Sequence, residues 1–163
     1  MLAVLGLLLA GCSSPLPDVT FYGNRSTSVA GPSLWCAVND TASAASCAVD
    51  RADSGAASLT LRPGQGVVIS VPEEVADQPW TLVFKYRQGS AAEQDARTGV
   101  FGPGERHAYE LSAPAPDATL TRVEVQSGLT LVAADDGGVD IAVLRSWVLL
   151  VTPATPTTEP PAD

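Results

Sequence analysis

Three cysteines, a single histidine and a few acidic pairs are the residues on which chemistry could rest in this chain. His107 is the lone histidine, so a carbonic-anhydrase-like zinc site, a blue-copper site or a superoxide-dismutase-like site cannot be built on the usual ligand sets. It precedes a strand-like stretch and shares parity with Tyr109, the pattern of a partly exposed structural histidine. A Ser-His-Asp relay would need a serine in a Gly-x-Ser-x-Gly turn, and no serine stands in one. Glu73-Glu74 and Asp135-Asp136 invite glycosidase or calcium readings. Adjacent residues on a strand point to opposite faces, however, and neither pair fits an EF-hand loop, so both read as surface turn acids. Lys85 and Arg87 share one outward face, and no glycine-rich phosphate loop precedes a helix. The expectation is no catalytic residue, no cofactor and no metal.

The cysteines remain. Cys12 follows a short apolar run, residues 2–10, and small residues. That run falls well short of the ~20 residues that span a bilayer and has the length of a signal-peptide apolar region. Leu9-Ala10-Gly11-Cys12 resembles the lipobox of bacterial lipoproteins. The resemblance implies a diacylglycerol on the Cys12 thiol, cleavage just before it and, usually, an acylated new N-terminus. Residues 1–11 are then a signal peptide. It starts Met1-Leu2-Ala3 without the usual Lys or Arg, which points to a start codon further upstream. Residues 12–17 become a lipidated tether, and the protein is expected at the cell membrane on its extracytoplasmic face. With Cys12 acylated, Cys36 and Cys47 form a pair in a disulfide-permissive compartment. A bridge there closes a loop of about ten residues, stabilises the fold by about 2–3 kcal/mol, and needs Cα atoms about 4.4–6.8 Å apart. Free thiols or a metal site are the alternatives, and a third and fourth metal ligand are hard to find.

Composition limits the partners. The formal net charge is −9, and Lys85 is the only lysine beside eight arginines. Phosphate binding requires a basic stripe, so nucleic acid is excluded, as is docking on anionic lipid by charge alone. Asn24-Arg25-Ser26 and Asn39-Asp40-Thr41 match the glycosylation sequon and read as chance turn residues.

The elements that must position these residues are strands. Residues 18–22, 33–38 and 47–50 are strand-like, with a small polar linker at 40–46. In 58–62, Leu59 and Leu61 share a face, and in 66–71 Val67, Ile69 and Val71 do. Residues 80–87 alternate most cleanly, with Trp80, Leu82, Phe84 and Tyr86 inward and Thr81, Val83, Lys85 and Arg87 outward. Pro72-Glu73-Glu74 suits the start of a helical turn, which Pro79 ends. Residues 88–98 read as a polar loop or hairpin tip, 99–101 as a short strand, and 106–111, 119–126 and 129–133 as strands. Residues 139–151 read as one long run placed centrally in a sheet. Residues 152–163 have the composition of an extended, disordered tail. About nine short strands with Pro and Gly between them predict an all-β fold, an immunoglobulin-like sandwich over residues 18–151, with Cys36–Cys47 as a local staple.

Cys12, Trp35-Cys36 with Cys47, Arg62-Pro63-Gly64, Val71-Pro72-Glu73-Glu74-Val75 before Pro79-Trp80, and Phe101-Gly102-Pro103-Gly104-Glu105-Arg106 together resemble a family of small actinobacterial lipoproteins of unknown function. The resemblance covers most of residues 12–151 and implies no activity and no site. The expected function is a non-catalytic, membrane-anchored envelope lipoprotein that binds a protein or cell-wall partner. The competing expectation is a carrier of a small apolar ligand between the sheets, near the tryptophans.

Overall fold

The structure is a computed structural model that describes residues 15–38, 45–133 and 138–154. Asp18 leads into β1 (Val19–Gly23), which turns into β2 (Ser26–Ala30), β3 (Pro32–Val38) and β4 (Ala45–Asp50). β5 (Ala57–Leu61) and β6 (Val67–Ser70) precede a single helical turn, α1 (Glu73–Ala76). β7 (Trp80–Gln88), β8 (Gln94–Arg97), β9 (Ala108–Leu111) and β10 (Ala118–Ser127) follow. A projecting hairpin, β11 (Thr130–Ala133) and β12 (Val139–Ala142), leads into β13 (Arg145–Pro153).

Two antiparallel sheets stack face to face. One has the order β2-β1-β6-β9 and the other β4-β3-β13-β10-β7-β8. The steps from β6 to β7 and from β9 to β10 each change sheet, which is the connectivity of an immunoglobulin-like sandwich. β5 closes the larger sheet by pairing parallel to the last strand, from Leu149↔Ala57 to Pro153↔Leu61. β13 thus has β10 along one edge, and β3 then β5 along the other. β3 and β5 meet where Gly31 N–H donates to the Gly55 carbonyl at 3.0 Å. Gly55 has φ +66, and a Cβ there would lie 3.2 Å from Gly31.

The core lies between the sheets. Phe21, Val67 and Ile69 from the smaller sheet meet Leu82, Val123, Val125, Trp147 and Leu149 from the larger, all fully buried or nearly so. The two fully buried indoles are satisfied: Trp80 Nε1–H donates to the Arg106 carbonyl at 3.2 Å, and Trp147 Nε1–H to the Pro17 carbonyl at 2.8 Å. α1 plugs one end of the sandwich. Its Val75 and Ala76 are buried, the Pro72 carbonyl accepts from both their N–H groups, and Ser127 Oγ donates to the Val75 carbonyl. Glu73 and Glu74 occupy the first turn, as the proline and the two acids predict.

Among the described residues thirteen strands form where about nine are expected, for identifiable reasons. β2 (STSVA) and β8 (QDAR) lie at sheet edges and carry little apolar alternation, so their sequences read as turn and loop. The run 139–151 is two strands: Val143 and Leu144 interrupt it between β12 and β13. Residues 99–101 supply only an isolated bridge, Phe101 to Trp80. Thr81, expected outward, is buried, because its Oγ1 is hydrogen-bonded by the Thr98–Gly99 segment folded over it. β13 continues to Pro153, and the Ala154 N–H donates to the Leu61 carbonyl at 2.8 Å, beyond the expected domain boundary at 151. The remainder of the expected tail, 155–163, lies outside the described residues, as do the expected signal peptide, residues 1–11, and Cys12.

Candidate functional site

Strand directions give the sandwich two unlike ends. At one end β10 finishes and β13 begins, with Ser127 opposite Arg145. There residues 15–17 reach the domain: the Pro17 carbonyl takes the Trp147 indole hydrogen, and β1 starts immediately after. The β3–β4 hairpin also projects at this end, since the Cys36 N–H donates to the Leu144 carbonyl at 2.8 Å.

Cys36 and Cys47 are disulfide-bonded, with their Cα atoms 4.0 Å apart. That is slightly closer than the usual span, and the register explains how they meet. Trp35 pairs with Val49 but Cys36 with Cys47, so Ala48 is an extra residue on β4. Without this bulge Cys36 would face Ala48, and the thiols could not meet. Cys36 is buried and Cys47 exposed. Beside the bridge, the Arg145 guanidinium lies 4.4 Å from the Trp35 ring centre, and Trp35 meets Trp147 edge-on at 6.0 Å. Arg145 Nε is buried without a hydrogen-bond partner among the described residues, so the indole face is the contact that compensates its charge.

Elsewhere the residues singled out in the sequence stay apart. His107 is exposed, and its carbonyl accepts the Val71 N–H. Lys85 sits between Glu93 and Asp95, 3.5 Å from each, and pins β8 to β7. The Thr121 hydroxyl donates to Glu93 at 2.7 Å, and this bond, aided by Lys85 and Arg87, holds the Glu93 carboxyl below its ordinary range. Asp135 and Asp136 lie outside the described residues. Among the described residues, no three His, Cys, Asp or Glu side chains gather as a metal-binding group.

The far end carries the open clefts. Asn24 and Arg25 form the two-residue turn between β1 and β2, both with positive φ, 50° and 61°. This is the backbone of a type I′ hairpin turn, in which the second position favours glycine. With Tyr22, Arg62, Gln65 and Glu110 they line a cleft of about 460 Å³. A second groove runs from Arg62 and Gly64 to Pro114 and Pro116. Two guanidinium groups beside a half-exposed tyrosine ring make a surface that can grip a carboxylate or a peptide backbone. Sequence reasoning passed over Arg25, having read Asn24-Arg25-Ser26 as a turn and no more. The residue pattern carries no signal for it, since the left-handed turn conformation of Arg25 is seen only in the structure.

No curated protein and no solved structure matches the chain. One family profile, described as a protein of unknown function (DUF2771), matches residues 13–152. That match takes in every described strand except the last residue of β13, and the chain belongs to the DUF2771 family.

Proposed function

We propose that this chain is a non-catalytic lipoprotein of the cell envelope, one of the small actinobacterial kind, anchored by lipid on Cys12 and binding a protein or wall partner. The observation that carries the reading is the Cys36–Cys47 disulfide. Structural disulfides persist in oxidising compartments, which agrees with export through the lipobox-like Leu9-Ala10-Gly11-Cys12. The polarity of the sandwich supports an outward-facing role. Residues 15–17 meet the domain at one end, while the cleft of Arg25 and Arg62 opens at the other, away from a membrane-bound Cys12. Surface binding is favoured over carriage of an apolar ligand between the sheets, because Trp80 and Trp147 are fully packed there.

The test is Cys12→Ser in the producing cell. The expected result is loss of the protein from the membrane fraction, with acyl chains on residue 12 in the intact mass of the unsubstituted chain. An unmodified mature mass refutes the anchor.

A further inference from the structure

The β11–β12 hairpin carries the three most exposed large apolar side chains among the described residues. Leu131 lies opposite Ile141, and Val139 follows on the same face by the two-residue strand period. Their exposures are 69%, 64% and 67%. Asp140 points to the other face, opposite Val132. An isolated two-stranded hairpin is marginal in water, and an uncovered apolar face on it is an aggregation liability. Something must cover it.

Its position identifies the cover. The hairpin extends from the end of the sandwich where Ser127 faces Arg145, the end at which Pro17 packs on Trp147. From Cys12 to Pro17 is five residues, which reach at most about 18 Å however they are arranged. A four-residue strand rises about 13 Å. A lipid held on Cys12 therefore keeps the bilayer surface within the reach of this hairpin. The net charge of −9 and the sequence acids Asp135 and Asp136 rule out attraction to anionic headgroups, which leaves the apolar side chains to make the contact. A second copy of the chain would bring the same acidic charge to the interface.

We propose that Leu131, Val139 and Ile141 lie against the acyl boundary of the membrane and dock the domain on the lipid surface beside its anchor. This rests on the lipid anchor proposed above. The experiment uses the lipidated full chain reconstituted in phosphatidylcholine vesicles with brominated acyl chains. Ile141→Trp and, separately, Leu131→Trp report on the hairpin, and Thr27→Trp reports on the far end. The expected result is that the fluorescence added by either hairpin tryptophan shifts to shorter wavelength and is largely quenched, at low and at high salt. The fluorescence added by Thr27→Trp should be unaffected. A chain held in the vesicles whose hairpin tryptophans are not quenched overturns the docking alone. So does a wavelength shift without quenching that grows with protein concentration, because a second copy then covers the face. Quenching abolished by salt overturns the apolar contact. A chain that carries no lipid and does not join the membrane overturns both the anchor and the docking.

Discussion

Reducing the Cys36–Cys47 bond should lower the melting temperature by about 7–10 °C. The two residues are 11 apart in sequence, and a loop of that length removes about 2–3 kcal/mol of unfolded-chain entropy. At ~2.1 cal/mol/K per residue, a domain of about 140 residues has an unfolding entropy near 0.3 kcal/mol/K, which converts that loss to the stated shift. The topology adds a local signature. β4 is the outermost strand of its sheet, with β3 as its neighbour, so the reduced hairpin opens before the sandwich does. Amides that bond β3 to β4 should lose hydrogen-exchange protection on reduction, while those between β7 and β10 keep theirs. The assay is calorimetry with and without reductant, with thiol counting to confirm that reduction is complete. The Cys36→Ala/Cys47→Ala double variant is the check without reductant. A melt that does not move in fully reduced protein refutes the reasoning.

Trp80→Ala should cost about 3–5 kcal/mol in a denaturant titration, because it empties a fully buried site packed against Phe101 with ring centres 4.6 Å apart. Gly64→Ala should destabilise by more than ~1 kcal/mol, since φ is +74 and the new Cβ would sit 2.5 Å from the Pro116 carbonyl oxygen. Gly89→Ala, also at positive φ but in open space, should cost less in the same titration. Glu93 has a folded value below its unfolded one, so its contribution to stability is complete above the unfolded value and is lost as pH falls through the folded one. Thr121→Val should raise the Glu93 titration midpoint towards its ordinary value in carboxyl NMR and weaken that acid-side dependence. An unchanged midpoint would show that the Thr121 hydroxyl does not set it.

How much could be read in advance follows the physics of each stretch. Residues 80–87 alternate because β7 sits between β10 and β8 with one face on the core, and Trp80, Leu82 and Phe84 are buried as that pattern requires. The cysteine pair was legible from its count and the expected export of the chain, but the bulge at Ala48 that brings the thiols together leaves no mark in the residue pattern. β2 and β8 were missed because an edge strand needs few apolar residues. It is held by one neighbour's backbone and by polar contacts such as Lys85 with Glu93 and Asp95. The far-end cleft assembles Arg25, Arg62 and Glu110 from three separate strand connections and ends, and spacing along the chain says nothing about their meeting.

The run 139–151 shows most sharply where pattern stops being informative. Ile141 and Leu149 belong to one apolar stretch, yet Ile141 is 64% exposed and Leu149 fully buried. The difference is in the partners and not in the residues. β13 has β10 on one edge and β3 and β5 on the other, with the smaller sheet across its inner face, so every apolar side chain it turns inward meets protein. β12 has β11 as its strand partner and stands clear of the sandwich, so the same kind of side chain meets solvent. An apolar residue in a strand therefore marks either a core or a surface, and within this run the count of neighbouring strands separates the two. Here that count assigns Leu149 to the fold. It leaves Leu131, Val139 and Ile141 with no folding role that explains them, and the proximity of the tether supplies the reason for their being apolar on the proposed reading.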